Sequence, residues 1–418
     1  MTAVPRSDRI PQINSWLLAA IFFSIPTHVA PAYSLSLLLA VLWFAEGNRL
    51  DRLKAVLRNR ALWTLLAYYA LVAASLLWTE DAANGQKVLG KTTFFLLASL
   101  YFSVARKEHF NRYLGAFLAA VALCELLAFY NWAHLSYFPE FPTGIRVDKD
   151  PMDTAPFVDR IMYAPILAWA GYVAGQRALF PEHRHRALYF ALMATTTVNL
   201  VISGGRAGMV AFLVMLGLLV VQRIKGRLIV ALPLAFLCVA LLAGVAYLEN
   251  TYFQERVDTA IANVSSLRED PNTPVGLRLS WASTTWRMFL ENPLIGVGAG
   301  DFPSRFLAIN AQFSPAVIPT WNPHNHFLFA LSTMGILGGT ALAAMLVPPP
   351  LWRARGRGEW QRLRDGLPVF FSVICLSESY LMRSNTTLLF VMWMTLLYAA
   401  APPADRDAAN RRDRDTTA

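Results

Sequence analysis

The sequence predicts an all-α protein that crosses a membrane about twelve times. Its 418 residues are 56% hydrophobic and only 15% charged, whereas about a quarter of the residues of a soluble domain are charged. Apolar runs of spanning length recur along the chain, and Lys and Arg concentrate in alternate loops between them. The composition therefore indicates a polytopic membrane protein before any motif is considered.

The predicted spans follow from length, because about 20 mostly apolar residues cross a bilayer. The first two runs are interrupted by Pro26 and Pro31. The first run lacks the small-residue cleavage site of a signal peptide, so we expect it to remain as a span. The twelve runs lie at residues 16–30, 32–46, 61–79, 89–105, 114–131, 157–175, 187–202, 205–221, 227–247, 324–347, 367–381 and 386–402.

The orientation follows from the loops on the N-terminal side of the membrane, which hold about two thirds of the 37 Lys and Arg residues. This asymmetry predicts an even number of spans with both termini in the cytoplasm. The net charge of +10 then reflects topology and attraction to anionic membrane lipids, and nucleic-acid binding is not expected.

The chain is expected to divide into two groups of spans, one large outer loop and one tail. The large loop contains an amphipathic pattern over residues 253–267, a second helical pattern that ends at Asn292–Pro293, and the glycine-rich turn IGVGAGDF. A shorter outer loop, 132–156, is rich in proline and predicted to be irregular. The four parts are 1–247 with spans one to nine, 248–323 with the large loop, 324–402 with spans ten to twelve, and 403–418 with the cytoplasmic tail.

Two histidines open the tenth predicted span in the stretch PHNHFL, residues 323–328. A lone histidine there is explained as an interfacial helix cap. A pair at the end of a long loop, directly after a helix-start signal, also suits proton transfer, since histidine changes charge near neutral pH. We therefore predict His324 as a catalytic base, with Asn325 or His326 orienting it.

Arginines are the second candidate group, because a guanidinium binds phosphate oxygens in a bidentate manner. Arg206 follows the turn of Gly204 and Gly205 in SGGRAGM, at a helix N-terminus whose amides also attract anions. A membrane anchor or a solvated helix face remains the alternative for each of these arginines. The set predicted to bind a lipid-borne diphosphate is Arg206, Arg278, Arg160 and Arg383, with Arg287 in support and with Lys91 and Arg146 as weaker members.

The remaining reactive side chains do not indicate a metal site or a disulfide. All three cysteines lie in apolar runs without metal-ligand spacing. No Asp-rich motif in the outer loops suits a metal ion, so we expect no metal and no cofactor. Glu125 and Glu378 fall inside or near spans, where carboxylates are costly and often functional, and they are second-rank candidates.

Three stretches occur in an order that resembles a known family. They are SGGRAG at a short outer turn, RLSWASTTWRMFLENPLIGVGAGDF in the large outer loop and HNHFLFALSTMGILGG at the tenth span. Together they resemble the motifs of the O-antigen ligase and polymerase superfamily of bacterial inner membranes. The resemblance covers roughly residues 190–345 by motif and the whole chain by topology.

The resemblance implies a GT-C-like fold and glycosyl transfer at the periplasmic face of a Gram-negative inner membrane. In a ligase, O-antigen moves from undecaprenyl diphosphate to lipid A–core, without a metal. The family's key histidine matches His324, and its arginines match Arg206 and Arg278.

Several alternatives stay open. A polymerase shares the motifs, but polymerases more often have two comparable outer loops, whereas this chain has one dominant loop. A protein O-oligosaccharyltransferase of the same superfamily is a further candidate. A twelve-span transporter, a different class, usually has two related halves with a site near the midplane, and the sequence suggests neither.

Overall fold

The computed structural model describes residues 6–47, 49–137, 153–180, 183–224, 228–249, 271–346 and 358–399, together with five residues between 254 and 261. Within these residues the chain forms α-helices, two short 3-10 helices and turns, and no strand. The predicted all-α class is therefore confirmed. Residues 138–152 of the shorter loop, most of the amphipathic pattern 253–267, and the tail 403–418 lie outside the described residues.

The described helices are numbered here in chain order. They are α1 Arg6–Ser24, α2 Val29–Glu46, α3 Arg49–Leu57, α4 Arg60–Ser75, α5 Ala82–Lys91, α6 Thr93–Val104, α7 Phe110–Tyr137, α8 Arg160–Leu179, α9 Arg186–Ser203, α10 Arg206–Arg223, α11 Leu228–Glu249, α12 Pro274–Glu291, α13 Phe302–Phe313, α14 His326–Leu346, α15 Glu359–Ser377 and α16 Ser384–Tyr398. The 3-10 helices are Lys107–His109 and Tyr380–Met382.

Five segments of the described chain are long and apolar enough to cross a membrane. They are α2, α9, α10, α14 and the segment Lys107–His134, which contains most of α7. Each of the twelve predicted runs overlaps a helix, and the count of twelve spans remains a prediction. The run predicted at 89–105 is not one helix. It is divided at Thr92, because the polar helix α5 ends at Lys91 and α6 begins anew at Thr93.

An aromatic cluster in the core joins helices that are distant in sequence. The ring of Trp393 on α16 lies edge-on to Trp169 on α8, with centroids 5.0 Å apart, and edge-on to Phe117 on α7 at 5.5 Å. Phe370 on α15 packs on Trp169 at 5.3 Å. All of these side chains are buried. The cluster therefore ties the helices of the last two spans to α7 and α8.

The glycine-rich loop between α12 and α13 is bound to α14. The backbone N–H groups of Val297 and Gly298 donate to the carbonyls of Ser332 and Thr333 at 3.0 and 2.9 Å. These carbonyls lie next to a break in α14 at Gly335, whose φ of 64° favours glycine. The predicted second helix and the turn after it are thus confirmed, and the loop holds α12 and α13 against α14.

Candidate active site

A cavity of about 390 Å³ brings four of the predicted residues together. It lies where the first turns of α8, α10 and α12 meet the turn before α14 and the connection after α15. Its lining includes Arg160, Arg206, Arg278 and His324, together with Glu378. We call it the His324 cavity.

The SGGRAGM motif places Arg206 in this cavity through close packing of α10 on α8. Gly204 ends α9 in the left-handed conformation, with φ of 65°, so the chain reverses immediately. A Cβ on Gly208 would lie 2.4 Å from the carbonyl carbon of Ala164, so only glycine allows this approach. The N-termini of α8 and α10 thus converge, and the helix dipoles add positive potential to Arg160 and Arg206.

His324 lies in a turn and not in the helix that was predicted to begin with it. Helix α14 begins at His326, because the side chain of Asn325 caps it by accepting from the N–H of Leu328 at 3.1 Å. His324 has φ of 52°, a conformation uncommon outside glycine. Its imidazole stacks on the indole of Trp281, with centroids 5.0 Å apart and planes at 26°. The strained backbone and the stack fix the ring at the edge of the cavity.

Glu378 determines the protonation pattern of His324. Its Oε2 lies 2.7 Å from the imidazole Nδ1, and an ionised carboxylate only accepts hydrogen bonds. Nδ1 therefore carries a proton and donates to Glu378, and in the neutral imidazole the lone pair lies on Nε2. The side chain of His324 is 25% exposed, and no protein group in the described part of the chain bonds Nε2.

The surroundings of Glu378 keep its carboxylate ionised. The residue lies in the connection between α15 and α16 and is 6% exposed. Burial alone would raise its pKa, but the hydrogen bond from His324 and the charge of Arg383 outweigh burial and hold the pKa at about 2. Asn322 Nδ2 and the Ser379 N–H donate to its other oxygen. Every neighbour that bonds this carboxylate is a donor.

Sequence reasoning ranked Glu378 second and did not pair it with His324. The available signal was a carboxylate at the end of an apolar run, where an ionised group needs a partner. The partner lies 54 residues earlier in the chain, so spacing alone did not identify it.

The other predicted residues lie away from the His324 cavity. His326 is fully buried on α14, and its Nε2 lies 3.0 Å from the hydroxyl of Tyr68. Arg287 is exposed on α12 and stacks on the ring of Phe313. Arg383 bonds Glu378 at 3.2 Å but lines a different cavity. The orienting contact predicted from Asn325 or His326 is made by Glu378.

Fold and site together define a helical membrane-type protein with a cationic cavity and a carboxylate-bound histidine at one end of its helices. The model of the O-antigen ligase family matches residues 189–343 of this chain. The matched region contains Arg206, Arg278 and His324, and the resemblance drawn from the motifs is confirmed. No curated protein matches the chain.

Proposed function

We propose that this protein is an O-antigen ligase that transfers O-antigen polysaccharide from undecaprenyl diphosphate to lipid A–core. The observation that carries the proposal is the His324–Glu378 pair in a cavity lined by Arg160, Arg206 and Arg278. A base and a cluster of cations in one cavity suit a reaction in which a hydroxyl loses a proton and a diphosphate departs.

In the proposed reaction, Nε2 of His324 takes the proton of the acceptor hydroxyl. The hydroxyl oxygen bonds the anomeric carbon while the bond from that carbon to the diphosphate oxygen breaks. The electron pair leaves with undecaprenyl diphosphate, and one displacement inverts the anomeric centre. Glu378 stabilises the imidazolium that forms, because its carboxylate already accepts from Nδ1.

The arginines act on the leaving group. Negative charge builds on the diphosphate as its bond breaks, and preorganised donors stabilise that charge best. Arg206 and Arg160 stand on the first turns of α10 and α8, where helix dipoles add to their charge. We propose that these residues and Arg278 supply the positive charge without a metal ion.

The orientation is part of the proposal. The described ends of α8 and α15 opposite the His324 cavity carry a partly buried ion pair. In this pair Arg177 bonds Glu359, with N to O at 2.6 Å. These helix ends border loops rich in Lys and Arg, which favour the cytoplasm. The His324 cavity then faces the periplasm of a Gram-negative cell, where both substrates are expected, and both termini are cytoplasmic. The division into spans 1–247, a periplasmic loop 248–323, spans 324–402 and a tail 403–418 belongs to the same proposal.

The test is reconstitution of the purified protein with undecaprenyl-diphosphate-linked glycan and lipid A–core, with a chelator and without nucleotide. We expect glycan on lipid A–core with the wild type and none with His324→Ala, although the variant still inserts and folds. Wild-type turnover by His324→Ala would remove the base assignment. Elongation of the lipid-linked glycan would identify a polymerase, and transfer to added protein an O-oligosaccharyltransferase.

The arginine assignment has a separate test. Arg206→Ala and Arg278→Ala should raise the KM for the donor, because each removes a charged hydrogen-bond donor from the diphosphate. Arg305→Ala is the matched control, since Arg305 is half exposed and pairs with Glu291 at 3.4 Å, outside the His324 cavity. Unchanged donor kinetics in both cavity variants would contradict the assignment.

A further inference from the structure

A second cavity, of about 330 Å³, lies on the other side of Glu378. We call it the Lys91 cavity. Lys91 at the end of α5 and Arg383 after α15 line it together with apolar side chains such as Val88 and Phe302. Neither the proposed base nor the three arginines of the His324 cavity are part of this lining.

A single layer of hydrogen-bonded side chains separates the two cavities. Asn322 and Ser379 line the Lys91 cavity, whereas Glu378 lines the His324 cavity. The Ser379 N–H donates to Glu378 Oε1 at 2.8 Å, and the Ser379 hydroxyl donates to Asn322 Oδ1 at 2.6 Å. Arg383 reaches Glu378 through the same layer at 3.2 Å. This layer therefore connects the Lys91 cavity to the carboxylate that bonds the proposed base.

The charge of the Lys91 cavity is not balanced by the described residues that line it. These include Lys91 and Arg383 but no Asp or Glu. Glu378, the carboxylate that Arg383 bonds, is shared with His324, and the buried Nε of Arg383 has no hydrogen-bond partner within the described chain. Partial burial lowers the pKa of Lys91, and the nearby charge of Arg383 lowers it further. Like charges brought together in this way favour the binding of an anion.

The lining also indicates what carries the anion. Lys91 Nζ lies 5.6 Å from the ring centroid of Trp321, which is itself exposed. Apolar side chains from α5 and α13 complete the wall. Cations beside apolar surface suit the phosphate of an amphiphilic molecule better than a free inorganic ion. A transferase that joins two anionic glycolipids also needs a separate anion site for each, because otherwise the two substrates compete.

We propose that the Lys91 cavity binds a phosphate group of the acceptor glycolipid, remote from the hydroxyl that reacts. The inference rests on the proposed function, and it assigns the three arginines of the His324 cavity to the donor and Lys91 with Arg383 to the acceptor. A remote contact of this kind binds the ground state and the transition state equally. Its loss therefore raises KM and leaves kcat unchanged.

The experiment measures steady-state transfer in vesicles of neutral phosphatidylcholine, with phosphorylated acceptor and with acceptor treated with phosphatase. Lys91→Gln should raise the KM of the phosphorylated acceptor about tenfold, the effect expected for one lost charge-assisted hydrogen bond. The donor KM and kcat should not change, and the effect should vanish with the dephosphorylated acceptor. Lys91→Arg should keep most of the affinity. Lys87→Gln, four residues earlier on the same helix and outside the lining, should behave as the wild type.

Three outcomes would overturn the inference. An unchanged acceptor KM in Lys91→Gln would remove the site, and a raised donor KM would give it to the donor. A rise in the acceptor KM of Lys91→Gln that occurs only when phosphatidylglycerol is added, and that is the same with dephosphorylated acceptor, would identify a membrane-lipid headgroup as the occupant. Failure of the proposed function is distinguishable, because the wild type would then transfer nothing to either form of the acceptor.

Discussion

Replacing Glu378 with glutamine tests the role of the carboxylate with little change of shape. The glutamine side chain keeps the size and one carbonyl oxygen, but it loses the negative charge that His324 and Arg383 share. The amide can also present its NH₂ group to Nδ1, which would favour the proton on Nε2 and remove the lone pair from the catalytic position. The change therefore acts on the proposed base through the contact at Nδ1.

The magnitude follows from the environment of the carboxylate. Its pKa is held at about 2, against 4.5 for an ordinary glutamate. At about 1.4 kcal/mol per pKa unit, the interactions with its neighbours outweigh burial by roughly 3 kcal/mol. A hydrogen bond to a charged group contributes about 1.5–3 kcal/mol, so losing the one between Glu378 and His324 predicts a kcat about 10–150-fold lower.

The assay is transfer to lipid A–core at saturating donor and acceptor, so that kcat is measured directly. Glu291→Gln is the matched control, because Glu291 makes an exposed ion pair with Arg305 at 3.4 Å and contributes little. A folded Glu378→Gln variant with wild-type kcat would refute the reasoning. A variant as inactive as His324→Ala would show that the tautomer, more than the charge, is decisive.

The remaining predictions concern the packing and the stability of the site. Gly208→Ala should raise the donor KM and lower the melting temperature, because its Cβ would meet backbone atoms of Ala164 at 2.4–2.5 Å; Gly115→Ala, which has open space, should do neither. Trp281→Ala should lower kcat by about 2- to 13-fold, since a lost aromatic contact is worth about 0.5–1.5 kcal/mol, and Trp281→Phe should retain most activity. The melting temperature of the wild type should fall as pH drops from about 4.5 towards 2. The pKa of Glu378 is depressed, so its ionised carboxylate stabilises the fold above this pH window, and protonation removes that stabilisation. This acid-dependent fall should be smaller in Glu378→Gln.

Most of the fold was accessible from the sequence because hydrophobic runs and helix signals are local. Helix α12 ends at Glu291, directly before the stop predicted at Asn292–Pro293. The run at 89–105 was misjudged as one span, since apolar content does not reveal that the polar helix α5 precedes Thr92 as a separate element. Hydropathy averages over a window, whereas a helix break depends on single residues.

Part of the candidate site could also be predicted from the sequence, because some of its motifs are local. Arg206 and His324 were identified by motifs that each lie within a few residues of sequence. The partners of those residues were not, because Glu378 and Trp281 reach His324 from other elements, the connection after α15 and helix α12. His326, predicted as a residue that could orient His324, is the first residue of α14 and faces the core and Tyr68 instead.

Glu378 connects the two cavities, because it bonds His324 on one side and Arg383 on the other. An acceptor-only carboxylate fixes the proton on Nδ1 of His324 only while it is ionised, and its pKa of about 2 keeps it ionised near neutral pH. Arg383 contributes to that low pKa from the side of the Lys91 cavity. A residue first predicted to bind the donor diphosphate therefore acts on the base through Glu378.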